Sequence, residues 1–136
     1  MKVDKADKVF SKCVKARAML TCESCGQSSY YYGALDCAHI FSRTNKSVRQ
    51  HPLNACCLCR DCHLRYTQNP DEFMCFVDTI RTVDQMQILI DAKNSLIKYN
   101  DLHVKDCAAH FRLQLKEMES KRLGGDNGYI DFEPFY

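Results

Sequence analysis

Apolar residues recur at helical spacing along four stretches of the chain, which predicts a protein that is mostly helical. In the first stretch, residues 4–19, the side chains of Phe10, Val14 and Arg17 share one face of the predicted helix. The other three helices are predicted over residues 71–82, over 82–97 behind a Thr-x-x-Gln capping box, and over 101–123. A pair of glycines follows the last stretch and is typical of a helix end.

The middle of the chain has a different pattern, in which short aromatic or apolar runs alternate with turn residues. Tyr30–Tyr32 and Leu35–Phe41 are predicted as two short strands. Residues 42–53 are polar and basic and are predicted to form a loop, and one more helix is predicted over Cys59–Thr67. These strands and helices together predict the α+β class.

The predicted elements divide the chain into four segments. These are an N-terminal helix (1–20), a central core (21–70), a helical extension packed on the core (71–123) and a tail (124–136). The tail has no periodicity, and two interpretations stay open for it. It is mobile, or it docks on the core through its apolar residues Tyr129, Ile130, Phe132 and Phe135.

Charge is distributed unevenly along a chain whose net charge is only +2. Residues 37–66 contain five basic residues and one acid, whereas the segment after them is acidic. This distribution indicates a local site for a polyanion, although a solvated loop would have the same composition. No apolar run is long enough for a membrane span and the N-terminus lacks a secretory segment, so we expect a cytoplasmic protein with no membrane partner.

Ten cysteines are many for 136 residues, and six of them lie in two clusters. Cys22 and Cys25 form one C-x2-C pair, and Cys59 and Cys62 form a second pair after 33 intervening residues. Two such turns present four thiolates to one tetrahedral ion, so we expect a structural Zn²⁺ site. A redox pair is a weaker interpretation, because neither pair lies in a thioredoxin-like context. The adjacent cysteines at 56 and 57 are close enough to compete as ligands.

Four polar residues lie between and beside the two cysteine pairs, in the order Asp36, His39, Asn54 and His63. Phosphodiester hydrolysis needs a general base, a hard cation and a group that holds the base in its productive tautomer. Each residue alone has an ordinary structural interpretation. Asp36 could be an acid in a turn, the histidines could be core or surface residues, and Asn54 could cap a helix. The four together, inside a zinc-binding frame, favour the chemical interpretation.

With these residues in place, the sequence resembles the phage HNH endonucleases with a four-cysteine zinc site, particularly the NinG/Rap recombination proteins. The resemblance covers about residues 7 to 77. It rests on Asp7, Phe10, Ser11, Lys15 and Arg17, on Cys22-x2-Cys25-Gly26, on Asp36-x2-His39-x3-Arg43, on Ser47-Val48-Arg49, on Asn54, on Cys59-x2-Cys62-His63, and on Asn69-Pro70-x2-Phe73.

The resemblance implies a ββα-metal core of the HNH, treble-clef-like type, cross-linked by zinc and flanked by the N-terminal and C-terminal helices. In this family pattern His39 on the first strand would be the general base, and Asn54 near the second strand would orient the hairpin and the imidazole. His63 on the helix and Asp36 would hold a catalytic Mg²⁺ or Mn²⁺. Two positions depart from the family pattern: Ala38 stands where many relatives have an acid or histidine, and Thr67 stands where several have a second histidine.

The function that the resemblance implies is a metal-dependent DNA endonuclease that nicks or cuts selected DNA structures in phage recombination or DNA processing, within the host cytoplasm. We expect Arg43, Lys46 and Arg49 to contact phosphates of double-stranded or branched DNA. Apolar stripes on the last two helices suggest a homodimer, although a monomer core explains them as well. The alternatives are a non-catalytic zinc module that binds nucleic acid, or a recombination or packaging accessory protein that binds a partner.

Overall fold

The computed structural model describes residues 2–136 and contains, over that range, five α-helices and a two-stranded antiparallel sheet. The predicted α+β class is therefore confirmed. In chain order the elements are α1 (Lys5–Arg17), β1 (Leu35–His39), β2 (Ala55–Cys59), α2 (Arg60–Gln68), α3 (Pro70–Ile80), α4 (Val83–Lys93) and α5 (Asp101–Leu123). Short 3-10 turns at Tyr32–Ala34 and Pro52–Asn54 lead directly into the two strands.

The two strands form a hairpin, and one of them is not a strand that the sequence predicted. Leu35 pairs with Cys59 and His39 pairs with Ala55. The predicted strand Tyr30–Tyr32 does not form, and the Tyr30 side chain is fully exposed. The partner of β1 is instead β2, in which all five residues are buried. A strand buried on both faces lacks the apolar–polar alternation by which a strand is recognised in a sequence.

Helices α1 and α5 pack against each other and form much of the hydrophobic core. Phe10 of α1 and Phe111 of α5 meet edge to face, with 5.2 Å between ring centroids. Phe132 of the tail packs against both rings and is 5% exposed. The tail therefore docks on the core, as one of the two interpretations has it. Phe135 packs against the same core in a partly buried position, whereas Tyr129 and Tyr136 stay about half exposed.

Two buried arginines hold the segment that enters β2. The Arg17 guanidinium donates to the carbonyl oxygens of Pro52 and Ala55 at 2.8 and 2.7 Å. The Arg81 guanidinium donates to Leu53 and to the same Ala55 oxygen at 3.0 and 2.8 Å. Pro52 and Leu53 precede β2 and Ala55 is its first residue, so the arginines supply hydrogen bonds that buried backbone requires where the strand begins. No helix among residues 2–136 has both the length and the apolar composition to cross a membrane.

Asp7 is the centre of a buried polar network that joins α1 to the loop between the strands. Its carboxylate accepts two hydrogen bonds from the Arg49 guanidinium, at 3.0 and 2.5 Å, and one from the Gln50 amide at 2.8 Å. Burial acts to raise the pKa of Asp7, but the bonds from Arg49, Gln50 and the Asp4 capping interaction outweigh it and lower the pKa below its usual value. Asp7 therefore stays charged, and the pair fixes the loop to the helix.

We predict that Asp7→Asn destabilises the fold by about 2 kcal/mol at pH 7, because it removes the nearer of the two carboxylates beside the buried Arg49 guanidinium and leaves Asp4 at 3.4 Å. A lowered folded-state pKa means that the contribution is present above the unfolded value of about 4 and is lost as the pH falls through the folded value. Urea unfolding of the wild type and the variant should therefore differ most near neutral pH and converge in acid. Asp106→Asn, at an exposed position of α5, is the control. Equal stability of wild type and Asp7→Asn at pH 7 would contradict the role of the pair.

Candidate metal sites and the cleft beside β1

The first cysteine pair lies in a tight turn between α1 and β1. Thr21 and Ser28 form an antiparallel bridge that closes the turn. The Cys25 backbone N–H donates to the Cys22 sulfur at 3.5 Å, and the Gly26 N–H donates to the Cys22 carbonyl at 2.9 Å. Gly26 has a φ of +81°, a conformation that a glycine adopts without strain. The turn therefore presents two sulfurs in one direction.

The second pair lies at the junction of β2 and α2. Cys59 is the N-cap of α2, and its sulfur accepts a hydrogen bond from the Cys62 backbone N–H at 3.4 Å. A helix N-terminus stabilises negative charge through its unpaired N–H groups. The second pair therefore lies beside the unpaired backbone N–H groups at the start of α2.

The four sulfurs converge within 4.8 Å of one another, and the Cys25 and Cys59 sulfurs are 3.8 Å apart. Two thiolates on one tetrahedral zinc ion, each at about 2.3 Å from the metal, lie about 3.8 Å apart. The cluster can thus hold a metal ion such as zinc. Among residues 2–136 it is the one group in which three or more His, Cys, Asp or Glu ligand atoms converge.

The thiols of this cluster cannot all ionise readily without a cation. Burial acts to raise the pKa of Cys22, but backbone N–H groups outweigh it and bring the pKa to about 7. Burial and the neighbouring thiols raise the pKa of Cys62 to about 12. A divalent cation removes this conflict because it favours the thiolate form of every ligand.

Cys56 and Cys57 do not belong to the cluster. Both lie inside β2 and are fully buried, and burial raises the pKa of Cys57 to about 12. They are small apolar residues of the core. The prediction that Cys59, and not Cys56 or Cys57, pairs with Cys62 agrees with the observed cluster.

A cleft of about 1050 Å³ runs beside β1, between α1 and α2. Asp36, His39 and His63 all line it. Consecutive strand residues point to opposite faces, yet residues from both faces of β1 line the cleft, so it follows the open edge of the strand.

His39 is held at the end of β1 with one ring nitrogen fixed. Its Nε2 lies 3.2 Å from the backbone carbonyl of Arg49, which can only accept, so Nε2 carries the proton. Nδ1 has no hydrogen-bond partner among residues 2–136, and it is not buried from solvent. Burial lowers the pKa of His39, and nearby Arg43 acts in the same direction. The imidazole is therefore neutral at pH 7, with a basic nitrogen that solvent can reach.

Asp36 and His63 form a pair across β1 and α2. The Nδ1 atom of His63 lies 3.0 Å from an Asp36 carboxylate oxygen, and the other oxygen lies 3.6 Å from the Arg60 guanidinium. Adjacent ligands on an octahedral Mg²⁺ ion, each at about 2.1 Å, lie about 3.0 Å apart. In this structure the same 3.0 Å separation is a direct hydrogen bond between His63 and Asp36, and the pair offers one oxygen and one nitrogen donor to the cleft. Thr67 provides no further ligand here, because its hydroxyl donates to the His63 carbonyl at 2.8 Å.

Asn54 closes the base of the loop between the strands. Its side chain is fully buried, and Nδ2 donates to the carbonyls of Phe41 and Val48 at 2.9 and 3.0 Å. Its Oδ1 accepts from the Phe41 backbone N–H at 2.7 Å. Asn54 thus holds the loop that carries the Arg49 carbonyl, and through that carbonyl it positions the His39 ring.

The three basic residues predicted to contact DNA lie in different environments. Arg49 is 4% exposed and is held by Asp7, so its charge is used inside the protein. Arg43 lines the cleft with its guanidinium 3.8 Å from the same carboxylate. Lys46 is exposed but does not line the cleft. In this geometry Arg49 is a structural residue.

The sequence interpretation missed a set of cleft residues on α1, namely Lys8, Lys12 and Lys15. Their spacing places them on one face of the helix, and this spacing is the feature of the sequence that could have indicated a shared basic surface. Nothing in the sequence indicated that this face lies beside His39, because that depends on how α1 packs against the hairpin.

We predict that the purified protein contains one zinc ion per chain and that Cys25→Ser and Cys62→Ser lose it, because three thiolates hold the ion less tightly than four. Native mass spectrometry measures the stoichiometry, and thermal unfolding with and without a chelator measures the contribution to folding. Cys75→Ser is the matched control, since Cys75 is an exposed cysteine outside the cluster. A metal-free protein that unfolds at the same temperature as the untreated one would contradict the site.

Comparisons with protein-family models, with curated proteins and with solved structures found no match to this chain.

Proposed function

We propose that the protein is an HNH-type DNA endonuclease that hydrolyses phosphodiester bonds of double-stranded or branched DNA with a divalent cation. The observation that carries this proposal is the state of His39: neutral, with Nε2 fixed on a carbonyl and Nδ1 open in a cleft that Asp36 and His63 also line. A general base needs this combination of an unprotonated nitrogen, a fixed tautomer and access to water.

Each residue has a defined part in the proposed reaction. His39 accepts a proton from the attacking water through Nδ1, while the Arg49 carbonyl keeps the ring oriented through Nε2. Asp36 and His63 would hold Mg²⁺ or Mn²⁺, which would polarise the phosphate and neutralise charge on the leaving oxygen. Two protein ligands leave room for water and phosphate oxygens, an arrangement that Mg²⁺ commonly adopts.

The four-cysteine cluster would hold a structural Zn²⁺ in this proposal and would take no part in the reaction. It connects the turn before β1 to the first turn of α2, which carries His63. Zinc binding would therefore fix α2, and with it His63, relative to the hairpin.

A second candidate function is a zinc module that binds nucleic acid without cutting it. The observation that favours it is the distance between acid and base: Asp36 and His39 are three residues apart, about 10 Å along a strand, and on opposite faces of β1. For cleavage, one phosphate would have to reach both a cation held by Asp36 and His63 and a water bound at His39, on either side of the edge of β1.

We predict that the protein nicks supercoiled plasmid in Mg²⁺ or Mn²⁺ and that His39→Ala lowers the rate by about 100-fold or more. Because burial lowers the pKa of His39, less of the base is protonated at any given pH than in an ordinary histidine. The wild-type rate should therefore rise with pH in the acidic range and become constant by about pH 7. His110→Ala is the control, because His110 bonds the Glu133 carbonyl on the tail and does not line the cleft. DNA binding with no nicking by the wild type would instead establish the second candidate.

We predict that Asp36→Asn and His63→Ala weaken Mn²⁺ binding at least tenfold and shift nicking to higher metal concentration, because each removes one of two protein ligands. Calorimetry on zinc-loaded protein measures the affinity, and the zinc content confirms that the cysteine cluster is intact. Asp61→Asn, on an exposed position of α2, changes the same charge as Asp36→Asn and should leave Mn²⁺ binding unchanged. Unaltered Mn²⁺ affinity in Asp36→Asn would remove this pair from the metal site.

A further inference from the structure

Helix α1 forms one wall of the cleft beside β1 and places three lysines along it. Lys8, Lys12 and Lys15 recur at spacings of four and three residues, so they lie on one face of the helix. From Lys8 to Lys15 the helix rises by about 10 Å. We call this set the α1 lysine row.

Lys15 differs from an ordinary surface lysine. The residue is 9% exposed, and its ammonium has no hydrogen bond or ion pair with any of residues 2–136 but is not buried from solvent. Its alkyl stem packs against the protein while its charged end reaches the cleft, a common arrangement for a lysine whose stem is buried. Lys15 therefore adds a third positive charge, held by its packed stem, to the same wall of the cleft as Lys8 and Lys12.

The carboxylates of the cleft do not neutralise the lysine row. Asp7 is held by Arg49 and Gln50, and Asp36 is paired with His63 and Arg60. The cleft therefore has an excess of positive charge over its whole length, on the α1 side as well as at Arg43.

We propose that the α1 lysine row binds successive phosphates of one strand of double-stranded DNA and holds that strand against the open edge of β1. This inference rests on the proposed function, since it names how the substrate of the same cleft is held. The row spans about 10 Å, which corresponds to the rise of about three nucleotides along one strand of a duplex. A regularly spaced polyanion fits three lysines on one helix face, and lysines act on phosphates as point charges that read no base sequence. Binding is therefore insensitive to sequence.

The test is equilibrium binding of zinc-loaded protein to a labelled DNA duplex, without added Mg²⁺ or Mn²⁺ so that no cleavage is needed. Neutralising three phosphate contacts in Lys8→Gln/Lys12→Gln/Lys15→Gln should weaken binding at least tenfold at low salt. The slope of log affinity against log salt should also fall in magnitude by about 2.7, since each phosphate contact contributes about 0.9. The control Lys98→Gln/Lys105→Gln/Lys116→Gln removes the same charge from exposed positions outside the cleft and should keep the wild-type slope.

Because Lys15 is buried, its substitution also tests the fold. The double variant Lys8→Gln/Lys12→Gln changes only exposed residues, and its slope should fall by about 1.8 while its zinc content and unfolding temperature stay at the wild-type values. A wild-type slope in the double variant, or a loss of slope as large in the control, overturns the lysine row as the binding surface. Failure of the wild type to bind duplex DNA overturns it as well. Wild-type binding with the expected slopes but no nicking in Mg²⁺ or Mn²⁺ supports the lysine row and overturns only the nuclease proposal.

Discussion

The convergence of four cysteine sulfurs is the constraint on which the rest of the core depends. Four sulfurs within 4.8 Å of one another bring together the turn after α1 and the junction of β2 and α2, which are far apart in the sequence. As thiolates without a cation they would repel one another, so the geometry is compatible with charge only when a metal is shared. With these two segments fixed, His63 on α2 is brought to the side of β1 that carries Asp36.

A second set of contacts orders the loop between the two strands. Buried side chains supply the hydrogen bonds that hold this loop. Asn54 bonds both ends of the loop, Arg17 bonds the carbonyls at its exit, and Arg49 connects its middle to α1. All three side chains are buried, so their hydrogen bonds compete little with water and hold the loop in one conformation. The position of the Arg49 carbonyl, and so the tautomer of His39, follows from this loop conformation.

The sequence was sufficient for features that depend on local chemistry and insufficient for those that depend on packing. The helices have capping residues and periodic apolar faces, and the two C-x2-C turns are local geometries, so α1, α5 and the cysteine cluster lie close to their predicted positions. The strand Ala55–Cys59 is an unbroken buried run that has no period of two. Arg49 has the same local sequence character as Arg43, and only its position opposite Asp7 separates a buried ion pair from a cleft residue.

The open edge of β1 allows residues on both faces of one strand to act at one place. Alternation puts Asp36 and His39 on opposite faces, so a ligand that lay on either face would reach only one of them. A ligand along the edge reaches both, provided that no third strand covers it, and the cleft follows that edge. An open edge is tolerated when the strand is short and charged side chains stand beside it, which here are the lysines of α1 and Arg60. In the proposed function, the positive charges of the α1 lysines and Arg60 would also attract a phosphodiester backbone to this edge.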